Sequence, residues 1–353
     1  MRTKREQLFT KLIRKCGAFL LIMAMVLSMA ACGSEKSGTT EAAQGTATTE
    51  KRADDVTIRI GSLKGPTSMG LVNLRKAVES GDADAGYKGK YTFTMETQAD
   101  VIAASIVSGD LDIALVPANL AAVLYKKTEG KVKVLSINTM GVLECVTGDA
   151  NIKSVKDLAG KTVYSTGQGT TPEYALRFLL EQYDVKDCTI EFKSEATEIA
   201  SLLKEDATKI AVLPQPFATV AQVQNEAVKR AFTLYDAWSE LNVDSQLVTG
   251  LTIVRSEFLE QHPAAVKTFM QDAAKSVEAA KNDTEKTAEL IAEYGIIEKA
   301  PIAKKALPEC NLVSTSGEEM KKTVSGYLKT LFDQDPKSVG GALPAEDFYY
   351  LGE

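Results

Sequence analysis

The chain has 353 residues, of which 44% are hydrophobic and 25% charged, with a formal net charge of −6 and five cysteines. That length is ample for two domains with buried cores, and the acidic balance argues against nucleic acid as a partner. The cysteines have no short spacing, so neither a disulfide framework nor a metal site is expected.

The first segment reads as a targeting signal. Arg2, Lys4, Arg5, Lys11, Arg14 and Lys15 precede an uninterrupted apolar run over 18–27. That run is short for a membrane span, which predicts a removable signal peptide over 1–31. Met29-Ala30-Ala31-Cys32 resembles a bacterial lipobox and predicts lipidation of Cys32; the alternative is an ordinary secreted chain cut nearby. Residues 33–52 carry Gly, Ser, Thr, Ala and charge without a large apolar side chain, so 32–53 is expected to be a flexible tether. Removal of 1–31 takes away six Lys/Arg and one Glu and leaves −11.

The folded part then alternates strands and helices. Strands are predicted at 56–60, 90–97, 112–116 and 132–138, with a break at 61–68 and helices at 69–79, 101–107 and 119–126. A strand at 162–165, a loop at 167–171 and a helix over 172–182 follow, the last marked by Pro172 and Glu173 in its first turn. An extended run at 247–254 and helical runs at 263–292 and 318–332 complete the chain. This alternation predicts mainly parallel sheets with helices on both faces.

One unit occurs twice. Residues 92–123 (TFTMETQADVIAASIVSGDLDIALVPANLAAV) align without a gap on 189–220 (TIEFKSEATEIASLLKEDATKIAVLPQPFATV). Nine of the 32 positions are identical, including Ala99/Ala196, Ile102/Ile199, Ala114/Ala211 and Pro117/Pro214; composition alone gives about two. Two copies imply two similar α/β lobes around a ligand cleft. Passages at 141–147 and 247–251 are expected to cross between them. Lobe 1 is then 55–145 plus 250–353, and lobe 2 is 146–249.

Ligands of such sheets sit beyond the carboxyl ends of the strands, where helix N-termini present free N–H groups. In lobe 1 this selects Gly65, Thr67, Ser68, Met69, Gln98 and Asn119. In lobe 2 it selects Gly169, Thr170, Thr171, Glu195 and Gln215. Any one of these residues could equally be a plain helix-start residue; the set of paired loops carries the argument. Trp238 either shields the cleft or belongs to the core.

Catalytic patterns are poor. His262 is the only histidine and precedes Pro263 at an expected helix start. Gly167-Gln168-Gly169 lacks the third glycine of a dinucleotide fingerprint, where Pro172 stands. Gly160-Lys161-Thr162 lacks the first glycine of a P-loop, where Val155 stands. Ser201-Leu202-Leu203-Lys204 matches S-x-x-K without its companion motifs. No activated nucleophile or tuned acid–base pair emerges, so no enzyme activity and no cofactor are expected.

Gly61-Ser62-Leu63-Lys64-Gly65-Pro66-Thr67-Ser68-Met69-Gly70, Gly109-Asp110-Leu111-Asp112-Ile113-Ala114, 154–160, Glu260-Gln261-His262-Pro263 and the ending 340–350 carry a resemblance over essentially all the mature chain. It is similar to the substrate-binding proteins of bacterial ABC importers, of the nitrate/sulfonate/taurine and thiamine-precursor type. The resemblance implies a periplasmic-binding-protein-like type II fold, two similar α/β lobes joined by two crossovers. It also implies a small-molecule ligand, lobe closure about the crossovers, and a permease with its ATPase as partners. A monomer, held extracytoplasmically to the membrane through Cys32, is expected. Lys64 is the one candidate cation near the cleft, whereas Glu195 and Glu173 are two candidate carboxylates. That balance leans slightly to a thiamine-like heterocycle over sulfonate, taurine or nitrate; with both carboxylates turned to solvent, the helix N-termini would favour an anion. The alternative class is a lipoprotein enzyme, such as a pyrimidine-precursor synthase on the same fold, although one His and scattered Cys count against its metal chemistry. An adhesion or scaffold lipoprotein leaves the paired loops unexplained.

Overall fold

The structure, a computed structural model, describes residues 56–241 and 243–352. The expected signal peptide, the lipidated Cys32 and the tether lie outside the described residues.

In chain order the strands are β1 (Thr57–Leu63), β2 (Lys90–Glu96), β3 (Ile113–Pro117), β4 (Val132–Met140), β5 (Leu143–Thr147), β6 (Thr162–Ser165), β7 (Thr189–Phe192), β8 (Ile210–Pro214), β9 (Lys229–Thr233), β10 (Val248–Arg255) and β11 (Leu312–Thr315). The helices are α1 (Pro66–Met69), α2 (Val72–Ser80), α3 (Ala99–Ser108), α4 (Ala118–Lys127), α5 (Thr171–Gln182), α6 (Ala196–Glu205), α7 (Phe217–Gln224), α8 (Leu234–Ser239), α9 (Ser256–Gln261), α10 (Pro263–Asn282), α11 (Thr284–Glu293), α12 (Ala300–Ala306) and α13 (Gly317–Gln334).

The strands form two sheets, one of six in the order β2-β1-β3-β10-β4-β11 and one of five in the order β7-β6-β8-β5-β9. The two orders match position by position, with β11 as the one addition. The repeat noticed in the sequence is the β2-α3-β3-α4 unit of one sheet and the β7-α6-β8-α7 unit of the other. Among its identical residues, Ile102 and Ile199, Ala114 and Ala211, and Ala121 and Ala218 are all buried. Each buried isoleucine contributes roughly 1.5–3 kcal/mol, which is why these positions tolerate little drift.

The sheets are mixed, not mainly parallel. β1 runs parallel to β2 and β3, and β6 to β7 and β8. β10 is antiparallel to both β3 and β4, while β5 is antiparallel to both β8 and β9. These two reversed strands are reciprocal. The chain leaves β4 of the larger sheet and becomes β5 of the smaller; it leaves β9 of the smaller sheet and becomes β10 of the larger. A strand that arrives from the other lobe enters its new sheet from the cleft side, so it runs against its neighbours.

Two local differences from expectation have simple causes. β1 continues through Gly61 to Leu63, because a Cβ at Gly61 would sit 2.3 Å from Leu111 Cδ1 and the glycine serves close packing, not a turn. The helix expected over 69–79 begins only at Val72 as α2, while Met69 ends the short α1, which falls in the expected break and is capped by Gly70.

α13 bridges the two halves of the structure. It packs on α4 and β4 and reaches α5, and its Tyr327, Leu328 and Leu331 share one apolar core with Leu176 and Leu179 of α5. On another face α12 packs against α7.

Candidate functional site

The carboxyl ends of β1, β2 and β3 open into α1, α3 and α4, and those of β6, β7 and β8 into α5, α6 and α7. Every sequence-predicted ligand-binding residue lies on one of these six connections or in the first turn of the helix that follows it, but they differ in what their side chains can offer.

The β1–α1 loop turns its side chains inward. The Thr67 hydroxyl donates to the Leu63 carbonyl at 3.0 Å, and the Ser68 hydroxyl shares that acceptor while lying 2.9 Å from Ser62 Oγ. Met69 is fully buried with its sulfur 3.8 Å from Cys310 Sγ. Thr67, Ser68 and Met69 therefore anchor α1 to the sheet, and Gly65 starts the turn. Lys64, by contrast, is exposed.

Asn119 and the β6–α5 loop come together. Asn119 is 1% exposed, and its Nδ2 donates to the carbonyls of Gly169 and Ser338, both at 3.2 Å. The Thr171 hydroxyl, also buried, lies 3.5 Å from Asn119 Oδ1. Gly169 has φ +73°, a left-handed conformation suited to glycine. Its N–H donates to Glu173 Oε2 at 2.7 Å, and Arg177 Nε donates to Glu173 Oε1 at 2.7 Å. Thr170 caps the loop, its hydroxyl donating to the Gly167 carbonyl at 2.7 Å. Glu173 is thus committed to its own helix start and to Arg177.

Gln98 and Glu195 occupy matching positions at the starts of α3 and α6, and both are exposed. The Thr197 hydroxyl donates to Glu195 Oε2 at 3.2 Å. Gln215 is buried, joined to Pro216 by a cis peptide. Its Nε2 donates to Glu144 Oε1 at 3.0 Å, and its Oε1 accepts from the Thr219 hydroxyl at 3.0 Å. Trp238 is core: 1% exposed, its ring 4.2 Å from that of Phe178 and 5.7 Å from that of Tyr327.

Sequence reasoning missed what Gln215 holds. Glu144, at 3% exposure, lines a cavity of about 300 Å³ beside the β4–β5 crossover, together with Gly141, Arg230, Asp236, Glu309 and Asn311. Arg230 Nη1 donates to Glu144 Oε1 and to Glu309 Oε2, each at 3.1 Å. These two carboxylates hold the Arg230 guanidinium above its usual range, the Glu144 hydrogen bond most. A signal was present in the sequence: Glu144 is the one charged residue in Leu143-Glu144-Cys145-Val146-Thr147, a strand buried throughout.

Cys145, Cys188 and Cys310 are free thiols. Burial pushes the Cys188 thiol up to about 11 and those of Cys145 and Cys310 higher still, so all three are poor nucleophiles. Among the described residues no group of three or more His, Cys, Asp or Glu could hold a metal ion.

The family described as NMT1/THI5 like matches residues 108–287, just over half of the chain. Among solved structures, an ABC transporter from Parabacteroides distasonis is 22% identical, with 83% of this chain and 98% of that one covered and a TM-score of 0.69. The ligand-binding component of an ABC-type import system from Staphylococcus aureus, with zinc bound, is 17% identical over 83% and 95% of the two chains, with a TM-score of 0.64. The periplasmic aliphatic sulphonate binding protein SsuA from Escherichia coli is 15% identical over 83% and 92%, also with a TM-score of 0.64. The two-lobed architecture is therefore of the periplasmic-binding-protein type.

Proposed function

The chain belongs to the NMT1/THI5-like family, and from that premise we propose that it is the substrate-binding component of an ABC importer. It captures a small molecule between its lobes and delivers it to a membrane permease and its ATPase. It acts outside the cytoplasm as a monomer, anchored through a lipid on Cys32, and it is a binding protein, not an enzyme. Lobe 1 comprises 55–145 plus 250–353 and lobe 2 comprises 146–249. The single observation that carries this reading is the reciprocal exchange of β5 and β10. It leaves two sheets of matching strand order joined by the β4–β5 and β9–β10 crossovers, with their carboxyl ends lined by paired helix starts. Such a frame supports closure around a ligand.

Gly65, Thr67, Ser68, Met69, Gln98 and Asn119 form one wall of the cleft, and Gly169, Thr170, Thr171, Glu195 and Gln215 the other. Thr67, Ser68 and Met69 act through backbone and shape, since their side chains face the core. The favoured ligand is a thiamine-like heterocycle over a sulfonate, taurine or nitrate. Glu195 supports that preference; Glu173 supports it less than its place in the sequence suggests, because Arg177 already balances its charge.

A thermal-shift screen of the chain from Ser34 tests this. Thiamine and aminopyrimidines are set against taurine, alkanesulfonates and nitrate. A true ligand at a thousandfold its Kd adds about 4 kcal/mol, or roughly 8 °C. A heterocycle response that weakens with Glu195→Gln supports the proposal. A response confined to the anions overturns the ligand preference and leaves the importer role; silence across the whole panel counts against the role itself.

A further inference from the structure

We propose that the cavity beside the β4–β5 crossover is a binding site for a small organic amine in its protonated form, with Glu144 Oε2 as the acceptor. Glu144 is buried, and while Oε1 takes bonds from Gln215 and Arg230, Oε2 has no hydrogen-bond partner among the described residues. A buried carboxylate oxygen left unpaired is costly, and native structures rarely keep one without a purpose. Glu144 itself lines an open volume of about 300 Å³, and a turn of its side chain would bring the buried oxygen to that wall. That volume is at the lower end of small-molecule pockets and roughly ten times the share of one water in the liquid.

The charges on the wall choose the sign of the occupant. Glu144, Asp236 and Glu309 face one guanidinium, that of Arg230. Arg230 spends a single nitrogen, Nη1, on both Glu144 and Glu309 and so ties β9 to the segment that leads into β11. An ammonium group at Glu144 Oε2 would complete the pairing with a charge-assisted hydrogen bond. The ring of Tyr235 offers a surface for the apolar body of the ligand, and the Asn311 side chain, which donates to the Gly141 carbonyl at 3.1 Å, holds the crossover that forms the floor. Because the walls come from the smaller sheet, the crossover and the segment that leads into β11, an occupant there would also bear on how the lobes sit together. The inference rests on the binding-protein reading for its biological sense only; its chemistry stands on Glu144.

The test is calorimetric titration of the full chain in mild detergent with benzylamine and tyramine, and with benzyl alcohol as the neutral counterpart. Expected are binding of the amines, at least tenfold weaker binding of the alcohol, and at least a tenfold loss of amine affinity in Glu144→Gln. Asp236→Asn, an exposed change that leaves Glu144 and its partners in place, is expected to weaken the amines about threefold and keeps the test valid if Glu144→Gln does not fold. No amine binding, equal binding of the alcohol, or unchanged affinity in a folded Glu144→Gln overturns the proposal. A transport ligand that still binds Glu144→Gln at full strength would leave the importer reading intact while this one falls; Glu144-dependent amine binding without any transport ligand would do the reverse.

Discussion

Asn119, at the start of the helix that follows β3, donates a 3.2 Å hydrogen bond to the carbonyl of Gly169, in the loop that follows β6. That helix and that loop follow strands of different sheets, so this bond ties one lobe to the other. The same Nδ2 holds the Ser338 carbonyl, which is buried. Asn119→Ala removes both bonds and leaves the Ser338 acceptor unsatisfied. The expected cost is about 1–3 kcal/mol, read as a lower midpoint in urea unfolding. Thr171→Val should cost less, because its hydroxyl is 3.5 Å from Asn119 Oδ1 and contributes little. Equal losses in the two variants would contradict this ranking.

The chain has one tryptophan, which makes Trp238 a clean probe. Its ring sits between Phe178 of α5 and Tyr327 of α13, and its Nε1–H donates to Ser245 Oγ at 3.0 Å. Emission should be that of a buried indole, with little quenching by iodide before or after ligand is added. Trp238→Ala is expected to cost about 3–5 kcal/mol. Strong iodide quenching that a ligand suppresses would place the ring in the cleft instead and would falsify the core assignment.

The fold was legible in the sequence because its evidence lies in buried residues. The repeat survives in Ile102/Ile199 and Ala114/Ala211, which face a core that resists change, and apolar periodicity reports such faces well. The loops were legible as places, not as contacts. Thr67 and Ser68 read as hydroxyls available at a helix start, yet both turn back to Leu63, because the direction of a first-turn side chain depends on what packs above it. Glu173 read as a cleft charge, yet Arg177 one turn on neutralises it. Glu144 was hidden because its partners, Gln215, Arg230 and Glu309, are distant in sequence and meet only once β5 is wedged between β8 and β9.

Gly250 lies where the crossover strand β10 meets Asn138 and Thr67. A Cβ there would sit 2.4 Å from Asn138 Oδ1 and 3.0 Å from Thr67 Cγ2. Asn138 cannot easily give way, since its Nδ2 donates to Thr252 Oγ1 and its Oδ1 accepts from Thr139. Gly250→Ala should therefore cost about 1–3 kcal/mol through overpacking and should displace Thr67. Chemical denaturation checks the first effect. An unchanged unfolding midpoint would mean that β10 does not approach α1 this closely.

Asp112 makes stability depend on acid in a way that can be signed. Its carboxylate, 2% exposed, accepts from the Arg59 backbone N–H at 2.9 Å and from the Arg59 and Arg255 guanidinium groups at 2.6 and 2.9 Å. Burial raises its pKa, but the Arg59 and Arg255 hydrogen bonds outweigh burial and hold the group below the usual carboxylate range. A group depressed in the folded state adds stability that is fully present above its unfolded value, about 3.9, and is lost as pH falls through the folded value. Asp112→Asn keeps the shape but strips the charge from between two arginines, at an expected cost of about 3 kcal/mol near pH 7. The gap between the two proteins should stay constant down to about pH 4 and narrow below it. Urea titrations from pH 7 to pH 3 measure that gap directly. A gap that widens on acidification would mean that the carboxylate is not what β1, β3 and β10 share.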